Sequence, residues 1–482
     1  NNNIAIYFFG EDRVEKTLTF NELQSNVAKL AHSLKKMGLS KGDRVAAVVP
    51  NVPEAVIAML ATASVGAIWS SCSPDFGIEG ILDRFSQIDP KIVIFCDGYF
   101  YKGKKIDFKN KNNKILNSLD SVEGTIIINY IDSGDANWNK LLDNTANSID
   151  FKQVDFSHPL YIVYSSGTTG KPKSIIHSVG GTLIQHYKEH LFHIDLKEKD
   201  KIFYFTTCGW MMWNWLISAL ASKATIVLYD GSPFFPSNEY LFDIAEKEQI
   251  TFFGTGAKYI DYLKQNKVDV KNKYKLAKLK TIASTGSPLV QESFEYVYSF
   301  IKKNVHLASI SGGTDIVACF VTGNPNMDVY SGEIQCAALG MDVDIFDEKG
   351  NSILQEKGEL VCKTPFPSKP IYFWNDKNNQ KYLNAYFNKY NNIWHHGDYC
   401  EKTKNEGYII YGRSDATLNA GGVRFGTAEL YRVVENIENI IECVAVEHIL
   451  YNDTEVILFL KIQPEVTLNE DLKKIIKFEI RS

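Results

Sequence analysis

The sequence predicts an α/β protein: a large N-terminal body of parallel-sheet α/β subdomains that includes a small β-rich subdomain, followed by an α+β lid. Three observations predict it. Short apolar runs alternate with helix-period segments as far as Ile310, the alternation that parallel strands and their crossover helices require. From Gly340 the texture changes to strand-length runs broken by turn residues, Glu348-Lys349-Gly350-Asn351 and Glu356-Lys357-Gly358. A chain of 482 residues also exceeds what a single hydrophobic core serves, so two or more packed units are expected.

The elements follow in order. Thr19-Phe20-Asn21-Glu22 reads as a capping box, and Leu23, Val27, Leu30, Ala31 and Leu34 then recur at helical spacing until Gly38. A strand is expected at Arg44 to Val49, a helix from Pro53 to about Val65, and a strand at Lys91 to Cys96. Further strands are expected at Leu160 to Tyr164, Ile202 to Phe205, Thr225 to Tyr229, Thr251 to Gly254, Lys280 to Ala283 and Val305 to Ile310. The β-rich subdomain spans about 340–411, which makes 1–414 the large domain. Residues 415–482 read as the start of the lid, with a helix near Thr427 to Ile440 and strands at Cys443 to Ile449 and Val456 to Ile462. Two segments rich in Asn and Lys, Asp107 to Ser118 and Asp376 to Asn392, read as solvated loops.

Composition excludes several classes. Hydrophobic residues at 45% and charged residues at 23% are ordinary globular usage. The balance of 52 basic against 57 acidic residues gives no general attraction to nucleic acid. The charge-free stretches Ala55 to Pro74 and Ile202 to Ser222 are diluted by Ser, Thr, Gly and Asn and lack flanking basic clusters, so no membrane span is expected. Eight cysteines without a C-x-x-C pair suit a reducing compartment, and no leader stands before the opening Asn-Asn-Asn, so a cytoplasmic protein is expected.

The densest motif runs Tyr161-Ile-Val-Tyr-Ser165-Ser166-Gly167-Thr168-Thr169-Gly170-Lys171-Pro172-Lys173. Glycines let backbone amides approach a polyphosphate, hydroxyls donate short hydrogen bonds and lysines neutralise charge. Pro172 stands five residues after Gly167, so the Walker spacing is absent and a P-loop ATPase is disfavoured.

Ser165 to Lys173 resembles the signature loop of the adenylate-forming superfamily, which comprises acyl-CoA synthetases, peptide-synthetase adenylation domains and luciferases. Other motifs resemble that superfamily's in the same order: Thr285-Gly-Ser-Pro-Leu289, Ser309-Ile-Ser-Gly-Gly-Thr-Asp315, His396-Gly397-Asp398, Gly412-Arg413-Ser414-Asp415 and Asn419-Ala-Gly-Gly-Val-Arg424. The resemblance implies an ATP-dependent acid:thiol ligase that forms an acyl-adenylate, with ATP and coenzyme A as co-substrates and Mg²⁺ as cofactor. Lys173 and the hydroxyls of Ser165, Ser166, Thr168 and Thr169, in a loop with Gly167 and Gly170, would hold the β- and γ-phosphates. Gly286, Ser287 and Pro288 would meet adenine, and Ser309, Ser311 and Gly313 would border the nucleotide. Thr314 would touch the α-phosphate and Asp315 would hold Mg²⁺. Asp398 would accept from both ribose hydroxyls, Arg413 and Arg424 would steady ribose and phosphate, and Asp415 would be the hinge on which the lid turns. His177 and His396 read as structural, because the acid arrives ionised and needs no base.

Cys208 to Trp215, Phe253 to Tyr259 and Tyr330 to Gln335 most resemble the acetoacetate-activating branch, so acetoacetate is the expected acid. Gly312 stands where the acetate-activating branch carries a bulky tryptophan, and Gly312→Trp is expected to shift preference towards acetate. Trp210 and Met212 would form the facing wall, with Asn214 or Lys258 meeting the keto oxygen. Acetate, propionate or another short acid is the alternative, and a nucleotide-binding protein without turnover the alternative of another class. The superfamily's second lysine, near the end of the lid, has no counterpart in 415–482, so the lid is expected to be incomplete here.

Overall fold

The computed structural model describes residues 2–132, 134, 136–165, 171–414, 418–420, 423–425, 427–450 and 453–481. Two seven-stranded sheets organise the described body. In the first, the spatial order is His306–Ser309, Thr281–Thr285, Phe252–Gly256, Lys201–Tyr204, Thr225–Asp230, Ile4–Gly10, Val14–Thr19, parallel except for the last hairpin. In the second it is Tyr372–Phe373, Lys173–Ser178, Pro159–Ser165, Ile68–Cys72, Arg44–Val48, Ile92–Cys96, Gly124–Ile128, with antiparallel pairing confined to the first three.

Strand side chains alternate between faces, so each sheet serves two cores. Phe203, Val227, Phe253 and Ile282 pack outward on the first sheet, whereas Ile202, Tyr204, Ile226, Phe252 and Ala283 point into a core shared with the second. Val45, Ala47, Trp69, Ile92, Ile94 and Tyr161 enter that same core from the opposite side. Helices Phe20–Lys36, Pro53–Ser64 and Met211–Ser218 fill the space between the sheets. The first of these begins with the expected capping box, Thr19 Oγ1 accepting from the Glu22 amide at 3.2 Å and Glu22 Oε2 from the Thr19 amide at 2.7 Å.

A four-stranded antiparallel sheet, Val343–Phe346, Lys357–Cys362, Trp394–Lys402 and Tyr408–Arg413, forms the β-rich part. After it come helix Thr427–Glu435, the hairpin of Ile440–Leu450 with Asp453–Ile462, and a helix not expected from the sequence, Glu470–Arg481. These elements have their own small core around Leu430, Val434, Ile440 and Ile476. No helix among the described residues is long and apolar enough to cross a membrane.

Two expectations are corrected. The segments read as solvated loops contain helices, Lys109–Leu116 and Gln380–Tyr386. Their Asn and Lys content masked inward-facing positions at helical spacing: Asn112 and Ile115 are buried on one, Tyr382 and Tyr386 on the other. Asn112 meets the inner side by donating to the Cys96 carbonyl at 2.8 Å.

Glu359 ties the four-stranded sheet to the chain leaving it. It is buried and accepts from Lys389 Nζ at 2.6 Å, from His395 Nε2 at 3.0 Å and from the Ser414 hydroxyl. Burial alone would raise its pKa, but bonds from His395, Lys389 and Ser414 outweigh it and hold the carboxyl at about 2, below the ordinary 4.5. A depressed acid stabilises the fold above the unfolded value and loses that contribution as pH falls through the folded one. Glu359→Gln is therefore expected to cost about 2 kcal/mol at pH 7. Chemical denaturation of both proteins should show the difference shrinking from pH 4.5 towards pH 2; a difference independent of pH would refute this role.

Candidate active site

The parallel strands of the first sheet end where the chain turns into two of the motifs. Thr281–Thr285 leads into Gly286, Ser287 and Pro288, and His306–Ser309 leads into Ile310, Ser311, Gly312, Gly313 and Thr314. Ligand clefts form at such strand ends because the connections diverge there. The four-stranded sheet closes the opposite side with Asp398, Ile410, Gly412 and Arg413, and Trp210 with Met212 comes from the start of helix Met211–Ser218. Together these line one cleft of about 250 Å³. Ser309, Ser311, Gly313 and Thr314 are all in its wall. Gly286 has a φ of +90°, which a side chain would strain, and a Cβ there would sit 3.7 Å from the Trp210 ring.

Asp398 and Arg413 face each other across paired strands. Arg413 Nη1 donates to Asp398 Oδ1 at 3.2 Å and to the His396 carbonyl at 3.1 Å. His396 lies beneath, buried, with Nε2 3.6 Å from Asp398 Oδ2. Burial lowers its pKa against the pull of Asp398. His177 is also buried, and its Nε2 meets the Thr314 carbonyl at 3.2 Å. Burial brings its pKa down to about 4, which fits a positional role for the ring that holds Thr314.

Beyond Thr314 the wall continues into an ion pair. Lys173 opens strand Lys173–Ser178, opposite Ser165 across the hairpin, and its Nζ lies 3.3 Å from Asp315 Oδ1. The same oxygen accepts from the Tyr386 hydroxyl. The ammonium sits 5.4 Å from the Tyr386 ring centre and 5.7 Å from that of Phe373, within cation–π range. Burial alone would raise the Asp315 pKa, but Lys173, His396, Tyr386 and Arg413 together hold it below the ordinary value. Sequence reasoning missed Tyr386 and Phe373. The signal for Tyr386 was its i,i+4 spacing from Tyr382 within an otherwise Asn-rich stretch.

Ser166, Gly167, Thr168, Thr169, Gly170 and Asp415 lie outside the described residues. The Arg424 backbone pairs with Asn419 in a short hairpin.

Three pocket expectations are corrected. Asn214 is two residues from Met212 on one helix, which turns it to another face; it is buried, supports the Tyr161 phenol and borders a separate void of about 10 Å³. Lys258 extends away to pair with Glu435 at 2.6 Å, its side chain 58% exposed. Gly312 does line the cleft, yet a Cβ there would lie 2.0 Å from the Ala318 carbonyl oxygen and 2.7 Å from Cys319 Cα. The glycine permits two backbones to meet and does not leave a vacancy for an indole. Gly312→Trp is thus expected to destabilise the protein, lowering both soluble yield and thermal midpoint, before any exchange of acid preference. Lys258→Ala should leave the ratio of kcat/KM between acids within about twofold, as for a surface ion pair remote from the cleft.

The AMP-binding enzyme family model matches residues 1–372. An acetoacetyl-coenzyme A synthetase of Rhizobium meliloti (strain 1021) is 50% identical over 99% of this chain and 75% of its own length. An acetoacetyl-CoA synthetase of Gallus gallus is 46% identical over 100% of this chain and 75% of its own. Among solved structures, the acetoacetyl-CoA synthetase from Streptomyces lividans superposes with a TM-score of 0.94 at 38% identity, covering 100% of this chain and 74% of that one. An anthranilate CoA ligase in complex with anthranoyl-AMP shares the fold with a TM-score of 0.84 at 17% identity, over 100% of this chain and 87% of that one. The chain belongs to the AMP-binding enzymes and, among them, to the acetoacetyl-CoA synthetase family.

Proposed function

We propose that the protein joins acetoacetate to coenzyme A at the expense of ATP, giving acetoacetyl-CoA, AMP and pyrophosphate. The observation that carries this reading is the single cleft in which Asp398 and Arg413, the turn Gly286 to Pro288, and Thr314 converge, with Lys173 and Asp315 beside it. A carboxylate cannot be attacked directly, because its leaving group would be oxide. In the first step a carboxylate oxygen attacks the α-phosphorus, and the bond to pyrophosphate breaks. In the second the CoA sulfur attacks the acyl carbon, AMP departs with the electron pair of the anhydride C–O bond, and the thiol proton is lost. Both partners of the first step are anions, so cations and aligned donors carry most of the catalysis.

The residues divide the work accordingly. Asp398 accepts from the ribose hydroxyls, Arg413 steadies both, and Gly286, Ser287 and Pro288 border adenine. Thr314 meets the α-phosphate, and Lys173, with the Ser165–Gly170 loop, holds the outgoing phosphates. Asp315 fits Mg²⁺: Lys173 and Tyr386 engage Oδ1, and Oδ2 has no hydrogen-bond partner among the described residues, which leaves an oxygen for a hard cation. When bound, the ion neutralises the phosphates. The acid takes the apolar end between Trp210, Met212 and Ala318. Residues 415–482 act as the lid and turn on Asp415. Eight free thiols accord with a cytoplasmic site.

Purified protein with ATP, Mg²⁺ and CoA should release pyrophosphate and form a thioester with acetoacetate, and the kcat/KM for acetate should be at least about tenfold lower. Lys173→Ala should cut acetoacetate-dependent pyrophosphate release about 100-fold. Asp398→Asn should raise the KM for ATP about tenfold while leaving that for acetoacetate unchanged. ATP binding without acid-dependent pyrophosphate release would overturn the reading.

A further inference from the structure

We propose that Tyr386 is a positioning residue for the phosphate and metal end of the site: its hydroxyl fixes the Asp315 carboxylate and its ring face seats the Lys173 ammonium. This rests on the reading of Asp315 as the Mg²⁺ ligand. Two contacts from one side chain reach both members of the ion pair. The hydroxyl donates to Asp315 Oδ1, the oxygen that Lys173 also approaches, and the ring centre lies 5.4 Å from Lys173 Nζ. With Oδ1 committed, rotation of the carboxylate is arrested and Oδ2 is presented in one direction.

Tyr386 is itself immobilised. It is 3% exposed, and its ring stacks flat on Trp394 at 3.8 Å between centroids and 14° between planes. Phe373 packs edge-on at 5.6 Å, and Phe373 also forms the second aromatic face near Lys173. Trp394 begins the strand that carries Asp398. The stack therefore sets the distance between the ribose-facing and metal-facing acids. A carboxylate held by a donor on a rigid support binds a cation without first losing rotational freedom.

Tyr386→Phe keeps the stack and the ring face and removes only the hydroxyl. Tyr382→Phe is the control, because the Tyr382 hydroxyl, equally buried and on the same helix, has no partner among the described residues. Mn²⁺ binding in the presence of a non-hydrolysable ATP analogue, read from the free-ion EPR signal, requires no turnover. Tyr386→Phe is expected to weaken it about tenfold, and to raise the Mg²⁺ concentration for half-maximal pyrophosphate release by a similar factor. The KM for acetoacetate should not move. Tyr382→Phe should leave both metal readouts within about twofold of wild type. Unchanged metal affinity in Tyr386→Phe, or equal weakening in both variants, would overturn the inference. Wild-type protein that binds Mn²⁺ with the analogue but releases no pyrophosphate would instead overturn the proposed reaction.

Discussion

A carboxylate held ionised although its side chain is only 16% exposed sets the terms for this site. Removing Asp315 from water disfavours its charge, and an isolated carboxylate in that position would take up a proton. Lys173 is the largest compensating influence, and His396, Tyr386 and Arg413 add to it. On the proposed reading of Asp315 as the Mg²⁺ ligand, the charge kept there is what a small hard cation would bind.

Those compensating groups come from separate parts of the chain. Asp315 follows the short strand Ser311–Gly313, which pairs with Ala318–Thr322 just beyond the edge strand of the first sheet, Lys173 opens a strand of the second, and Arg413 ends a strand of the four-stranded sheet. Tyr386 closes the helix before that sheet's strand Trp394–Lys402. The three sheets must therefore be fixed relative to one another to within a hydrogen bond. Packing supplies this: one core cluster between the two large sheets takes in residues as far apart in sequence as Ala5 and Cys319, and Ile175 of the Lys173 strand belongs to the core beneath the four-stranded sheet. A long chain with several cores suits such a site, because side chains from one flat sheet leave only by its two faces, whereas elements of three sheets approach one carboxylate from several directions.

Much of this was readable beforehand, for a physical reason. Strand alternation and the capping box at Thr19 are local, so sequence order alone exposes them. What escaped depends on direction. Asn214 and Met212 are two residues apart, yet only one reaches the cleft. Lys258 sits in a segment that reads as part of the pocket and turns outward to Glu435. Tyr386 was hidden because composition averaged over Asp376 to Asn392 reports the solvated face of a helix, whereas two tyrosines, Tyr382 and Tyr386, are buried on the other face.

Gly312 shows how far such a reading extends to specificity. Beside a pocket, a missing side chain suggests added volume, but the direction of the absent Cβ decides whether that volume belongs to the ligand. Here it points at Ala318 and Cys319, so the glycine draws two strands together and shapes the wall from behind. On the proposed reading, discrimination between short acids falls to what the cleft wall presents, the ring of Trp210 and the side chains of Met212, Ala318 and Cys319. An apolar wall of that kind separates acids by roughly 1–3 kcal/mol per methylene-sized group. It favours the longer acid because the shorter one leaves part of the wall without contacts.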